Sequence, residues 1–473
     1  MERVTARTRT ATGSPGTASA PYQYRRARLV EPDWRRFTAW NRVTALEWRD
    51  PQWQRVHSVK SVRQLRDVLG PRAGEVFYAD VARDQELFAT MPILLPPHVI
   101  NTIVPDSTPD TDALYEDPVR RYMLPTASDR HPVWPSHPVA SRDSLHEAEM
   151  WAVEGLTHRY PNKVLAEVVS TCPQYCGHCT RMDLVGMSTP TTLKYRFVLK
   201  PADRLDRIIG YLQATPQVRD VVVSGGDTAN LPWPRLEAFL MRLLDIEHVR
   251  DIRVATKALV GMPQYWLADQ VRAGMERVAR TAFDRGVSIA VHTHANAVQQ
   301  VTPLVEEAAR AMLTAGARDV RNQGVLLRGV NDSAEALLDL CFALLDGGGL
   351  TPYYFYLCDI IPNSEHWRLS LAEAQALQDS IMGYLPGFAT PRLVCDVPYA
   401  GKRWVHQNVR YDRETGVSYW TKHYLTLLEA DDPQAPDRTY EYHDPVYTLP
   451  EPGQQYWRRA ASAEDASTME HAR

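Results

Sequence analysis

An α/β fold is predicted, a partial (β/α) barrel with a helical and irregular N-terminal extension and a short C-terminal region. Three observations carry this reading. From Val164 onward, short apolar runs alternate with amphipathic segments, the pattern of repeated strand–helix units and a parallel sheet. The helical segments carry their own capping residues. The polar residues suited to chemistry fall just after the apolar runs, where barrels of this kind gather their active sites.

The first strand is the apolar run Val164–Val169, which ends at a polar loop. A helix follows near Pro201–Gln213, where Leu205, Ile208, Ile209 and Leu212 recur at the spacing of one helical face. Val221–Ser224 reads as strand two. Pro234–Leu244 repeats the helical spacing through Leu236, Phe239, Leu240 and Leu243. Ile252–Thr256 is strand three, and the helix over 268–285 stops at Gly286, as a C-terminal glycine would make it. Val287–Thr293 is strand four. Thr302 and Pro303 open the next helix with a capping hydroxyl and a proline at the first helical position. Strand five spans Val320–Leu327, a helix Ala334–Leu345, and strand six Tyr353–Cys358. Ser370 and Glu373 form a capping box for the last helix, and Leu393–Asp396 is a final extended piece.

Around this core the chain divides into a disordered tail at 1–20, a wrapping region at 21–155, the barrel at 156–402, an appended region at 403–458 and a second disordered tail at 459–473. Trp34, Trp40, Trp48 and Trp53 crowd the wrapping region, and aromatics at that density pack against another surface. Prolines interrupt every pattern from Pro92 to Pro138. With 473 residues, 44% apolar composition and a formal net charge of −4, the chain can bury a large core and has no electrostatic footprint for nucleic acid or an anionic membrane. Six cysteines in no disulfide-like spacing point to a reducing compartment, and so to the cytoplasm.

Chemistry starts at Cys172, Cys176 and Cys179, packed into one loop after the first strand. Iron–sulfur clusters are held by thiolates. Three of them on a [4Fe–4S] cube leave one iron without a protein ligand, open to a small molecule. Zinc is the competing reading, with His178 or the His292/His294 pair as fourth ligand, although structural zinc favours paired C-x2-C spacings. The spacing C-x3-C-x2-C resembles the signature of the radical S-adenosylmethionine (SAM) superfamily, whose members bind SAM at the open iron. In Ser224-Gly225-Gly226-Asp227, after strand two, the glycines allow close backbone approach and Asp227 can pair with an ammonium. His292 and His294, two apart on a strand, share a face.

The larger resemblance is to the lysine 2,3-aminomutase family and covers roughly residues 40–420. Its blocks are Gly155–Leu165, the cysteine loop through Arg181, Val221–Asp227, His292–Asn296, Asn322–Asp332, Tyr353–Asp359 with Glu365–Arg368, and Asp396–Lys402. The resemblance implies a partial barrel that uses a [4Fe–4S] cluster, SAM and pyridoxal phosphate (PLP) to move an α-amino group to the β-carbon. It assigns Ser224, Gly225, Gly226, Asp227 and His294 to SAM, Gln323 to cofactor binding, Arg159 and Tyr160 to the PLP phosphate, and Lys402 to the covalent bond with PLP. Arg181 would clamp the substrate carboxylate, since a planar fork suits that group. Asp359 and Asp396 would hold the distal ammonium of a basic amino acid, because two carboxylates in one pocket repel unless a cation lies between them.

One departure stands out. Pro398-Tyr399-Ala400-Gly401 replaces the family's glycine run before the PLP lysine and is one residue shorter, with Tyr399 expected to pack on the cofactor or narrow the pocket. No cysteine follows Cys395, so the C-terminal structural metal of some relatives is not expected. Lysine is the first substrate reading and arginine the second. A radical SAM enzyme without PLP and a non-catalytic metal scaffold are the remaining alternatives. An external electron donor and a homodimer or homotetramer complete the expectation.

Overall fold

The computed structural model describes residues 21–26, 29–347 and 349–471. The expected tail at 1–20 lies outside them. Ten strands form one sheet in sequential order: β1 (Trp151–Val153), β2 (Leu156–Tyr160), β3 (Lys163–Val169), β4 (Asp220–Gly225), β5 (Asp251–Ala255), β6 (Ser288–Thr293), β7 (Val320–Leu326), β8 (Leu350–Leu357), β9 (Arg392–Val397) and β10 (Gly401–Trp404). Strands β3 to β9 are parallel, whereas β1, β2 and β10 are antiparallel additions at the two edges.

The sheet curls until those edges nearly meet. The Lys402 amide of β10 donates to Tyr160 Oη at the end of β2 over 3.0 Å, and Arg159 of β2 reaches Asp396 of β9. A side-chain seam thus takes the place of a closing ladder, and the barrel is partial. The helices α1 (Pro201–Gln213), α2 (Trp233–Leu244), α3 (Asp269–Asp284), α4 (Pro303–Thr314), α5 (Ala334–Asp346) and α6 (Leu371–Ile381) cover its outside. Their apolar faces, among them Ile208, Leu236, Met275, Val305 and Leu340, meet Val221, Ile252, Val291 and Leu350 in one core.

The predicted strands and helices reappear within three residues at each end. The exceptions have physical reasons. Strands β1 and β2 went unseen because Thr157, His158 and Arg159 are polar yet buried, so no apolar alternation marks them. The crossover after β5 contains two short helices, Ala258–Gly261 and Pro263–Leu267, also unpredicted.

The tryptophans of the wrapping region do pack, chiefly on one another. Trp34 stacks on Trp48 with centroids 4.8 Å apart, within a second core that includes Phe77, Leu95 and Ile100 and joins the barrel at Ala297, Leu327, Cys358 and Trp367. At the other end, β11 (Arg410–Asp412), β12 (Val417–Trp420) and β13 (Tyr440–His443) form a small antiparallel sheet. Helix α7 (Glu451–His471) runs through the stretch expected to be a disordered tail, anchored by buried Trp457. Its polar sequence lacks an apolar stripe, which hid it from a reading based on periodicity.

Candidate active site

Cys172, Cys176 and Cys179 are free thiols in the loop after β3, all half-buried. Met91, Tyr175, Met182 and Ile361 support Cys172 and Cys179. Burial raises all three thiols, Cys179 to about 11. A cation faces them. The Lys257 ammonium, on the loop after β5, lies beside Cys176 and Cys172 and donates to the His294 carbonyl over 3.3 Å, with burial lowering it. Lys257 has no carboxylate partner within ion-pair distance among the described residues. An ammonium without an ion-pair partner, beside two of the three thiols, fits an anionic cluster there. Among the described residues no three His, Cys, Asp or Glu side chains form a group suited to a single metal ion. Lys257 escaped the sequence reading because nothing local distinguishes it from a surface lysine.

The glycines after β4 are built into this loop. A Cβ on Gly225, at φ +123°, would lie 2.2 Å from the Val169 carbonyl, and one on Gly226 would lie 2.3 Å from that of Thr171. Strand and cysteine loop therefore approach as only glycine permits. The structure corrects the role given to Asp227. One carboxylate oxygen accepts from the Ala229 amide and Thr256 Oγ1, the other from the Lys257 and Ala258 amides, all within 3.0 Å. Its oxygens are spent on fixing the loop that carries Lys257, so it is not free for an ammonium. Ser224, the residue before Gly225 on β4, is buried.

The two histidines have separate surroundings. His292 packs edge-on to Tyr353 at 5.4 Å, beside Gln323, and burial lowers it to about 3. His294 lies 5.5 Å from His178 of the cysteine loop and 3.0 Å from Asn296 Nδ2. His294, not His292, therefore lies against the cysteine loop.

Arg181, Asp359, Asp396 and Lys402 come together at the C-terminal end of the sheet. Asp396 and Lys402 are cross-strand partners on β9 and β10. Thr180 Oγ1 donates to Asp359 Oδ2 over 2.7 Å, while Asp359 Oδ1 is buried without a hydrogen-bond partner. Burial, then the charge of Asp396, pushes Asp359 up to about 7. Arg159 Nη1 donates to Asp396 Oδ1 over 2.8 Å, both side chains being buried. The cation on Asp396 is thus the protein's own Arg159, whose charge also reaches Asp359 without a hydrogen bond or ion pair to it.

Two acids absent from the sequence reading hold Arg181. Its Nε lies 2.8 Å from Glu147 Oε2 and 3.2 Å from Glu167 Oε1. Burial pushes Glu167 up to about 7 against the pull of Arg181. Burial would also raise Glu147, but Arg181 and Arg159 outweigh it and hold that group below its ordinary value. The Nη atoms keep only weak contacts, at 3.4 Å to the Gly225 carbonyl and 3.5 Å to Glu147. Glu167 had a signal: a lone carboxylate inside an apolar strand.

A cavity of about 350 Å3 opens at the barrel seam, lined by Tyr160, Lys163, Tyr354, Lys402, Arg403 and Tyr424 among others. None of its lining residues is acidic. Lys402 lies 5.3 Å from the Tyr356 ring and burial lowers it to about 8. Arg159 does not line this cavity, and neither does Tyr399, whose ring stacks instead on His146 at 4.1 Å. Among the described residues no helix is long and apolar enough to cross a membrane.

No protein-family model matches the chain. It is 31% identical over 364 residues to L-lysine 2,3-aminomutase of Fusobacterium nucleatum, covering 76% of each chain. To L-lysine 2,3-aminomutase of Clostridium subterminale it is 28% identical over 372 residues, 78% of this chain and 80% of the relative. Glutamate 2,3-aminomutase of Clostridioides difficile is 24% identical over 358 residues, 76% of each chain. Among solved structures, a radical SAM methyltransferase from Sphaerobacter thermophilus aligns at a TM-score of 0.34 with 19% identity, over 52% of this chain and 69% of that one. At that identity and coverage the chain belongs to the lysine 2,3-aminomutase family of radical SAM isomerases, a membership that implies a [4Fe–4S] cluster and SAM.

Proposed function

We propose that the chain moves the α-amino group of a basic L-amino acid to its β-carbon, with PLP as a further cofactor and L-lysine to L-β-lysine as the reaction. The observation that carries the substrate reading is Asp359, half-buried, whose buried Oδ1 lacks any partner and which has no ion-pair partner among the described residues. A buried carboxylate in that state is costly unless a cation arrives, and the distal ammonium of lysine is such a cation. Thr180 fixes Oδ2, leaving Oδ1 for the substrate. The Nη atoms of Arg181 would take the α-carboxylate while Glu147 and Glu167 hold its Nε.

The cavity at the seam suits an anionic cofactor, because its charged lining is Lys163, Lys402 and Arg403. Lys163 and Arg403, with the phenols of Tyr160 and Tyr424, would hold the phosphate. That reading releases Arg159 from phosphate binding and leaves it to neutralise Asp396. At about 8, Lys402 is partly neutral near neutrality, the state in which an amine is a nucleophile toward an aldehyde. When bound, the cluster and SAM supply a carbon radical that abstracts hydrogen, and PLP carries the migrating nitrogen. Cys172, Cys176 and Cys179 would hold the cluster, with Ser224, Gly225, Gly226, His294 and Gln323 around SAM. An external one-electron donor and a homo-oligomer, dimer or tetramer, belong to the same reading.

The test is anaerobic incubation of reconstituted protein with dithionite, SAM, PLP and lysine, arginine or glutamate, followed by mass spectrometry. A β-amino isomer of lysine is expected. An isomer of arginine alone would replace lysine in the proposal, and 5'-deoxyadenosine with no isomer from any of the three would overturn it.

A further inference from the structure

His146 and Tyr399 share an uncommon backbone state. With φ of 55° and 59° they are two of four non-glycine residues at positive φ among the described residues. Left-handed backbone is unfavourable for any residue with a Cβ, and it persists only where the surroundings over-determine it. Here each supports the other. Their rings stack at 4.1 Å with an interplanar angle of 21°, and Tyr399 Oη lies 2.9 Å from His146 Nδ1. The same nitrogen is 2.9 Å from Glu149 Oε1.

Each partner sits next to a working group. His146 precedes Glu147, which holds Arg181. Tyr399 lies in the turn between Asp396 of β9 and Lys402 of β10. That turn is tethered elsewhere too: Lys422 Nζ donates to the Tyr399 carbonyl over 2.8 Å, and Tyr424 Oη to that of Ala400 over 2.6 Å. Those bonds hold the turn's backbone against the C-terminal region. The Tyr399 side chain does something different, spanning from the turn to the segment behind Arg181. Glycine at 399 would adopt the same φ without strain, so what offsets the strain of tyrosine must come from its ring.

We propose that the His146–Tyr399 stack is a clasp that sets the separation between the Arg181 carboxylate clamp and the Asp396–Lys402 hairpin, and so positions the substrate at both ends. This rests on the reading of Arg181 and Lys402 as substrate and cofactor groups. The role assigned to both is that of positioning residues, acting through Glu147 on Arg181 and through the turn on Lys402.

The test compares wild type, Tyr399→Gly, Tyr399→Phe and His146→Ala by amide hydrogen exchange in the protein as purified, then by steady-state kinetics and by borohydride trapping of PLP on Lys402. Tyr399→Gly and His146→Ala are expected to speed exchange in both 139–150 and 396–404. They should raise KM for the amino acid about tenfold with a smaller change in kcat, and leave the trapped PLP adduct in place. Tyr399→Phe keeps the stack and should fall between. Unchanged exchange at 139–150 in Tyr399→Gly would overturn the clasp, as would loss of PLP trapping with KM unaltered. If wild type turns over no basic amino acid, the proposed function fails while the exchange comparison still decides the clasp.

Discussion

At the scale of single residues, Asp359 decides most. Raised to about 7 by burial and Asp396, it is largely protonated below neutrality and ionises only as pH rises through 7. Capture of an ammonium therefore strengthens with pH, and kcat/KM for lysine should rise through about 7 on its acid side. Asp359→Asn should remove that limb and lower kcat/KM about a hundredfold, a lost charged hydrogen bond of about 2–3 kcal/mol; a pH–rate profile checks both. The stability sign runs the other way. A carboxyl whose folded value is raised favours the fold below its unfolded value of about 4, and that contribution disappears as pH rises through 7. Asp359→Asn should therefore raise the melting temperature of the unliganded protein at pH 8 and leave it nearly unchanged near pH 4. Lys402→Ala should abolish the borohydride-trapped PLP adduct in the peptide map.

The elements explain why these residues meet. Parallel strands deliver their ends to one face, so Val169, Gly225, Thr293, Leu357 and Val397 all point chain segments toward the same site. The β4 end touches the cysteine loop so closely that Gly225→Ala would push a methyl into the Val169 carbonyl. That variant, strained also by its φ, should lose about 2–4 kcal/mol of stability and bind less iron after reconstitution; chemical denaturation and iron analysis measure the two. Glycines 225 and 226 were legible in the sequence as close-approach positions. What they approach was not, because the Val169 and Thr171 carbonyls lie more than fifty residues away in the chain.

Over the whole molecule, a buried ion pair couples the barrel to its C-terminal sheet. Arg368 and Glu365 are both fully buried. Arg368 donates to the His443 carbonyl at the end of β13, and Glu365 accepts from the Val446 amide over 3.0 Å. Removing one charge strands the other, so Glu365→Gln or Arg368→Met should cost about 3–5 kcal/mol, read from denaturant midpoints. The same C-terminal region supplies Tyr424 to the seam cavity. Proteolysis should accordingly open residues 405–450 first in either variant.

Sequence alone determined the repeating strand–helix pattern, the capped helix starts, the thiol loop and the set of polar residues at strand ends. These are local: apolar spacing, capping and turn chemistry act within a few residues. Only the tertiary structure decided the pairings. It turned Arg159 toward Asp396, spent Asp227 on backbone amides, set Glu147 and Glu167 on Arg181, brought Lys257 to the thiols and stacked Tyr399 on His146. A buried charge takes whichever partner the fold brings within reach, because leaving it unpaired in a low dielectric costs more than any local preference. That choice is made between segments distant in sequence, and no local pattern encodes it.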